Sequence, residues 1–266
     1  MIVTVASRYR AHLHRGGIGI RETLRLLEAY ARRGNWGTVR QEALEGNLLG
    51  KTSGHQVRAL LKAFRRRFLS GLNLPPVDSV GQLVRSPLPE AAKIQVLLPY
   101  YVLTDPLVER CYRDLVLPRL LSPPAELTTA EVRRHLESLE GEHPELCRWS
   151  KAMRERWVRG FRTLLRQFRL MDRHPSSRLR RPILLPEPFG FYWLWLWERS
   201  GSFREAEAAN LWDLYLLDVE ERERLLGEGQ VRGWWTYQRL GPIVHFHPTY
   251  TDLKEWLRHG LDRGHA

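Results

Sequence analysis

Residues Thr38–Leu69, TVRQEALEGNLLGKTSGHQVRALLKAFRRRFL, decide how this chain folds. The stretch has the pattern of a short helix, a turn and a longer helix. Thr38 with Gln41 has the spacing of a capping box, and so does Ser53 with Gln56. Between them, Glu45–Lys51 (EGNLLGK) breaks the periodicity with two glycines. In the second helix Val57, Leu60, Leu61, Phe64 and Phe68 recur at helical spacing and form one apolar stripe. Arg58, Lys62, Arg65 and Arg66 lie away from that stripe, Lys51 stands at its entry, and no acidic residue occurs from Lys51 to Leu69. Two arrangements give this pattern. One is a helix-turn-helix unit whose second helix presents cations to DNA; the other is a solvated surface helix.

Before this stretch, residues 1–17 form a basic arm with Arg8, Arg10, His12, His14 and Arg15. Such an arm either tracks a groove or is a plain tail. A helix over Ile20–Arg33 then turns Leu24, Leu27 and Ala31 inward, so residues 18–72 are expected to form an N-terminal helical domain of helix-turn-helix type.

Beyond it, Ser70–Pro89 is a connection with four prolines and room for a short helix after Asp78. The pattern predicts helices over 91–103 and 106–121, the second capped by Asp105 with Pro106 in its first turn. Thr128 with Glu131 opens another, to about Leu139. Ser150 caps the longest and most basic helix, to about Leu170, with Met153, Trp157, Phe161, Leu164, Leu165 and Phe168 inside. Its basic residues include Arg154, Arg159, Arg162 and Arg166. A strand with a basic start, Arg178–Leu185, follows and carries Arg180 and Arg181. Arg148–Arg181 holds twelve basic and two acidic residues, nearly the whole net charge of +12. A long basic helix followed by a basic strand is the outline of a winged-helix module, here over residues 73–187. A helical bundle with a soluble arginine face is the alternative.

Residues 188–266 are less basic and more aromatic. Helices are expected over 191–199, 206–216, 219–226 and 251–259, and two strands over 234–239 and 243–247 around Leu240-Gly241-Pro242. This part has a winged-helix-like order without a basic face, which suits packing or protein contact. The predicted fold class is mainly α, with helical bundle domains of helix-turn-helix or winged-helix character and a small C-terminal β-hairpin.

A net charge of +12 and a pI near 10.2 attract polyanions, either nucleic acid or an anionic surface. Cys111 and Cys147 are too few for a disulfide framework and lack metal-ligand spacing. The greasiest run, Phe189–Trp197, is far shorter than the roughly 20 residues that span a bilayer. With no signal peptide in the first residues, a soluble cytoplasmic protein without membrane insertion is expected. There is no glycine-rich phosphate loop, no G-x-S-x-G and no H-E-x-x-H. His245 and His247 share a strand face but lack a third ligand. The expectation is therefore a protein with no catalytic residues, no metal and no cofactor.

The segment from Glu22 to Ser53, ETLRLLEAYARRGNWGTVRQEALEGNLLGKTS, followed by a basic helix, resembles the N-terminal region of the BrxA family. The later run CRWSKAMRERWVRGFRTLLRQFRLMD with RRPILLPEP is similar to that family's second block. The resemblance covers Ile18–Pro188 well and the remainder loosely. BrxA proteins are small components of the bacterial BREX phage-exclusion systems. The resemblance implies a mostly helical protein partly like the NusB antitermination fold. It also implies binding to double-stranded DNA without enzymatic activity, beside a DNA methyltransferase, an alkaline-phosphatase-like protein and an ATPase. It supplies no set of site residues.

The expected contacts to phosphate are therefore Lys51, Arg58, Lys62, Arg65 and Arg66 as one set, and Arg154, Arg159, Arg162, Arg166, Arg180 and Arg181 as a second. Two other functions fit the same charge pattern: an RNA-binding factor of NusB type, and a scaffold whose arginines bind acidic protein partners.

Overall fold

The computed structural model describes residues 9–14, 19–122 and 124–261. Arg8 and Arg15 of the basic arm lie outside the described residues. Among the described residues the fold is mainly α with one two-stranded antiparallel hairpin, as the sequence predicts. After a 3₁₀ turn at His12–His14 come α1 (Ile20–Arg33), α2 (Trp36–Glu45), α3 (Gly54–Phe68), α4 (Val77–Arg85) and α5 (Glu90–Val102). Next are α6 (Pro106–Cys111), a π-helical turn at Tyr112–Val116, α7 (Leu117–Leu121), α8 (Thr129–Ser138) and α9 (Lys151–Gln167). The last part holds α10 (Pro186–Ser200), α11 (Phe203–Glu207), a 3₁₀ turn at Trp212–Tyr215, α12 (Val219–Val231), β1 (Trp235–Leu240), β2 (Ile243–Pro248) and α13 (Leu253–His259).

The chain forms two compact units, and each is built from three separated segments. The first takes the described residues of Met1–Thr23, Ala43–Leu72 and Leu98–Pro182; the second takes those of Leu24–Glu42, Asn73–Leu97 and Ile183–Ala266.

In the first unit the apolar stripe of α3 is buried as its spacing predicts: Val57, Leu60, Leu61, Phe64 and Phe68 are all inside. The rings of Phe68 and Tyr100 stack at 4.6 Å. Along α9, Trp157, Phe161, Leu164 and Leu165 are buried, and Trp157 stacks on Phe161 at 5.4 Å, whereas Met153 is only half-buried. Caps fix where these helices start. Ser150 Oγ accepts from the Met153 N–H at 3.2 Å, and Asp105 accepts from the Val108 N–H at 3.4 Å. At α8 the expected capping box is complete: the Glu131 N–H donates to Thr128 Oγ1 at 3.2 Å, and the Thr128 N–H donates to Glu131 Oε2 at 2.7 Å. The 3₁₀ turn at His12–His14 lies so close on α9 that a Cβ added to Gly160 would sit 2.8 Å from the Leu13 carbonyl oxygen.

The second unit has an aromatic core. Phe189, Trp193, Trp212, Trp234, Trp235 and Trp256 are all buried. Their rings meet mostly in tilted and edge-on pairs, such as Phe189 on Trp212 at 5.0 Å and Trp234 on Trp256 at 5.2 Å, while Trp193 stacks on Trp212 at 5.9 Å. Three of the buried indole N–H groups find carbonyls, Trp212 donating to Ala206 at 2.7 Å, Trp234 to Gly260 at 2.9 Å and Trp235 to Leu226 at 2.8 Å, whereas those of Trp193 and Trp256 meet no acceptor. The hairpin pairs Trp235 with Pro248 through to Leu240 with Ile243, and Gly241 takes the positive φ of 58° at its two-residue turn.

Several local expectations are corrected. Thr38 does not cap α2. Asn35 does, through a bond from the Thr38 N–H to its Oδ1 at 3.1 Å, because asparagine is the stronger cap and stands three residues earlier. Ser53 holds the N-cap position of α3, but its side chain accepts no bond, since residue spacing does not fix a rotamer. The strand expected over Arg178–Leu185 is reduced to two isolated bridges, Glu126 with Arg178 and Met171 with Leu179. Pro182, which has no N–H to give a ladder, follows closely. α10 starts at Pro186 rather than Phe191, as both Pro186 and Pro188 are tolerated in a first turn whose N–H groups need no intrahelical partner. The single helix expected over 206–216 is broken into α11 and the Trp212–Tyr215 turn. The Trp212 indole folds back onto Ala206, and Leu216 is left-handed at φ 53°.

Candidate nucleic-acid interface

The helical repeat of α3 decides which of its cations gather. Arg58, Lys62 and Arg66 are four residues apart, so they follow one another on consecutive turns of one face. Arg58, Lys62 and Arg65 are exposed, and Arg66 is half-buried. No hydrogen bond or ion pair engages the side chains of these four among the described residues, and the Arg66 Nε is buried without a partner. Burial, and then the charge of neighbouring Arg67, pull the Arg66 guanidinium down to about 10, which leaves it charged at neutral pH. Lys51 is placed differently: its Nζ pairs with Glu22 at 2.5 Å and ties the entry of α3 to the start of α1.

The same face of α3 lines a cavity of about 410 Å³. Its walls carry His55, Arg58, Lys62 and Arg66 from α3 together with Arg10 and His12 from the N-terminal arm. Ala11, Ala59 and Ala63 complete the lining, and their small side chains leave the space open. Among the described residues no carboxylate lines it. Behind it, His12 Nδ1 lies 3.2 Å from Oδ2 of the buried Asp105, which orients the ring. In the sequence the arm residues Arg10 and His12 stand out only as part of a basic tract. His55 carries no motif of its own, although its spacing from Ala59, Lys62 and Arg66 puts it on their face.

The second set is dispersed by its bonds. Arg154 pairs with Glu140 and donates to the Leu146 carbonyl at 3.0 Å. Arg162 donates to Thr129 Oγ1 at 2.5 Å and to Ser177 Oγ at 2.8 Å, and burial followed by the nearby Arg166 lowers its pKa. Arg166 donates to the Asp172 carbonyl at 3.1 Å and to the Ser176 carbonyl at 3.1 Å. These three guanidinium groups brace the turns on either side of α9. Arg180 pairs with Asp172 but keeps most of its side chain in solvent, and Arg181 is also exposed. Arg159 is exposed; its charge acts on Glu155, but no hydrogen bond or close ion pair engages its guanidinium among the described residues.

His245 and His247 are exposed on one face of β2, and no group of three or more potential metal ligands occurs among the described residues. No helix among the described residues is long and apolar enough to cross a membrane.

Comparison with known proteins gives one family and one fold. The chain is similar to the crystal structure of an uncharacterized protein from Magnetospirillum magneticum, with a TM-score of 0.58 at 15% identity, over 75% of this chain and 96% of that one. That likeness shows a shared fold. No curated protein matches. Residues 7–191, well over half of the chain, match the BrxA family. The chain therefore belongs to the BrxA family and is a BREX-associated defence protein.

Proposed function

We propose that this protein is a non-enzymatic, cytoplasmic DNA-binding subunit of its BREX system, holding double-stranded DNA mainly through phosphate contacts. The observation that carries the proposal is the row of Arg58, Lys62, Arg65 and Arg66 on α3, in a segment without a single acidic residue. Unpaired cations on a rigid helix neutralise phosphates without first breaking an internal ion pair. Arg159, Arg180 and Arg181 add exposed positive charge in the same unit. Contacts of this kind give affinity that falls steeply with salt and carries little sequence information. Arg154, Arg162 and Arg166 support the unit from within, and Lys51 fixes the entry of α3. The methyltransferase, alkaline-phosphatase-like protein and ATPase of the system are the proposed company.

The test is binding to a labelled random duplex across a salt series, with wild type beside Arg58→Ala/Lys62→Ala/Arg65→Ala. The slope of log affinity against log salt should fall by about 1 for each phosphate-contacting cation removed. Absence of binding at low salt would overturn the proposal. Equal competition by structured RNA would redirect it to RNA, because A-form helices hide their major groove.

A further inference from the structure

We propose that the cavity between α3 and the N-terminal arm is a phosphomonoester site that takes the terminal phosphate of a nucleotide, either at a 5′ strand end or on a free nucleotide. This deepens the duplex-binding proposal and rests on it only for the strand-end source.

Shape is the first ground. At about 410 Å³ the space falls within the range of small-molecule sites, roughly 300–1,000 Å³. A continuous duplex passes over such a recess; a single nucleotide enters it. Charge is the second. Arg10, Arg58, Lys62 and Arg66 surround the space with His12 and His55, and no carboxylate lines it among the described residues. A phosphomonoester carries about 1.5 to 2 negative charges and three strong acceptor oxygens, against one charge for a backbone diester. Four cations around one recess suit the former. The third ground is Arg66, whose buried Nε has no partner. The guanidinium that carries it has no internal acceptor to give up when its outer nitrogens meet an entering phosphate oxygen. Finally, Ala11, Ala59 and Ala63 supply the apolar wall that a sugar and base need, while the cations hold the phosphate.

The site is tested by keeping every charge and removing the space. Ala63→Leu fills the recess and leaves all its cations in place, and a thermal melt confirms that the variant folds; Ala59→Leu, one turn away, is the second variant. Calorimetry with adenosine 5′-monophosphate and with inorganic phosphate tests the free source. Anisotropy with short blunt duplexes bearing 5′-phosphate or 5′-hydroxyl ends tests the strand-end source.

Wild type should bind the monophosphate, or prefer phosphorylated ends by at least about tenfold. Both leucine variants should lose this while still binding a long 5′-hydroxyl duplex with the wild-type salt slope. Monophosphate binding without an end preference assigns the site to free nucleotides. No binding of the monophosphate and no end preference, with duplex binding intact, overturns the site and leaves the DNA proposal standing. Nucleotide binding that survives both fillings overturns it as well.

Discussion

The Arg67 guanidinium carbon lies 3.7 Å from the centre of the Tyr101 ring, and both side chains are buried. The Tyr101 hydroxyl in turn hydrogen-bonds Thr23 Oγ1 at 2.8 Å, which anchors the ring under the cation. A desolvated cation–π pair is worth about 2 kcal/mol, and truncation also leaves a void. Arg67→Ala should therefore cost about 2–4 kcal/mol of stability in urea unfolding. Its salt slope for duplex binding should stay that of wild type, because Arg67 faces the core rather than solvent. A shallower slope would mean that Arg67 reaches the ligand.

Arg162 makes the opposite case to Arg58 on another helix. Its bonds to Thr129, Ser176 and Ser177 tie α9 to the start of α8 and to the turn after Asp172. Hydrogen bonds to a charged group contribute roughly 1.5–3 kcal/mol, and the freed acceptors lose their partner. Arg162→Ala should lower the melting temperature clearly, whereas Arg58→Ala should hardly move it. In the duplex titration the two should exchange roles, with Arg58→Ala alone reducing the slope. Equal effects of both variants on the slope would count against this division of labour.

The Thr128–Glu131 capping box should give stability a dependence on acid. Backbone and side-chain hydrogen bonds from Thr128, followed by Arg119, hold the Glu131 carboxyl at about 2, below its ordinary 4.5. Because the folded value is the lower one, the contribution is fully present above pH 4.5 and is lost as pH falls towards 2. Glu131→Gln should be less stable than wild type at neutral pH, and the gap should close across that window in chemical denaturation. A gap that stays constant with pH would show that the carboxylate charge has no part in the cap.

Two glycines on α12 should respond to alanine with opposite signs. A Cβ at Gly229 would run into the buried Trp235 indole, whereas nothing lies within 4 Å of a Cβ at Gly227. Alanine in a helix interior gains about 0.8–1.0 kcal/mol over glycine, and overpacking typically costs 1–3 kcal/mol. Gly227→Ala should thus raise the melting temperature. Gly229→Ala should lower it, as the indole cannot move without breaking its bond to Leu226. A stabilised Gly229→Ala would show that the ring shifts freely.

What the sequence disclosed and what it hid follow from local and nonlocal physics. The α3 stripe, the caps at Asp105, Thr128 and Ser150 and the hairpin around Gly241 are set within a few residues, and periodicity and turn chemistry revealed them. Arg65, Arg66 and Arg67 are the same letter three times, yet one is exposed, one lines the cavity and one is buried over Tyr101. Each step of about 100° around the helix changes the partner, and the partner comes from another segment. The arginines of α9 looked like a cationic face for the same reason. The acceptors of Arg154, Arg162 and Arg166 are carbonyls and hydroxyls of the flanking turns and the Glu140 carboxylate, which a count of charge along the helix does not see. The cavity needed the arm laid against α3, and no spacing rule within either segment announces that.

The interleaved units set the limits of dissection. The family match stops at residue 191, inside α10, while the second unit draws on Leu24–Glu42, Asn73–Leu97 and everything after Pro182. A fragment cut where the family match ends would strand Leu27, Ala29, Val80, Leu83 and Val84, core residues of the earlier segments, without Trp193, Trp212, Trp234, Trp235 and Trp256 of their own unit. The edge of the family match is thus not a seam along which the polypeptide comes apart, and the tail beyond it is as much a part of folding as the segments that carry the family name.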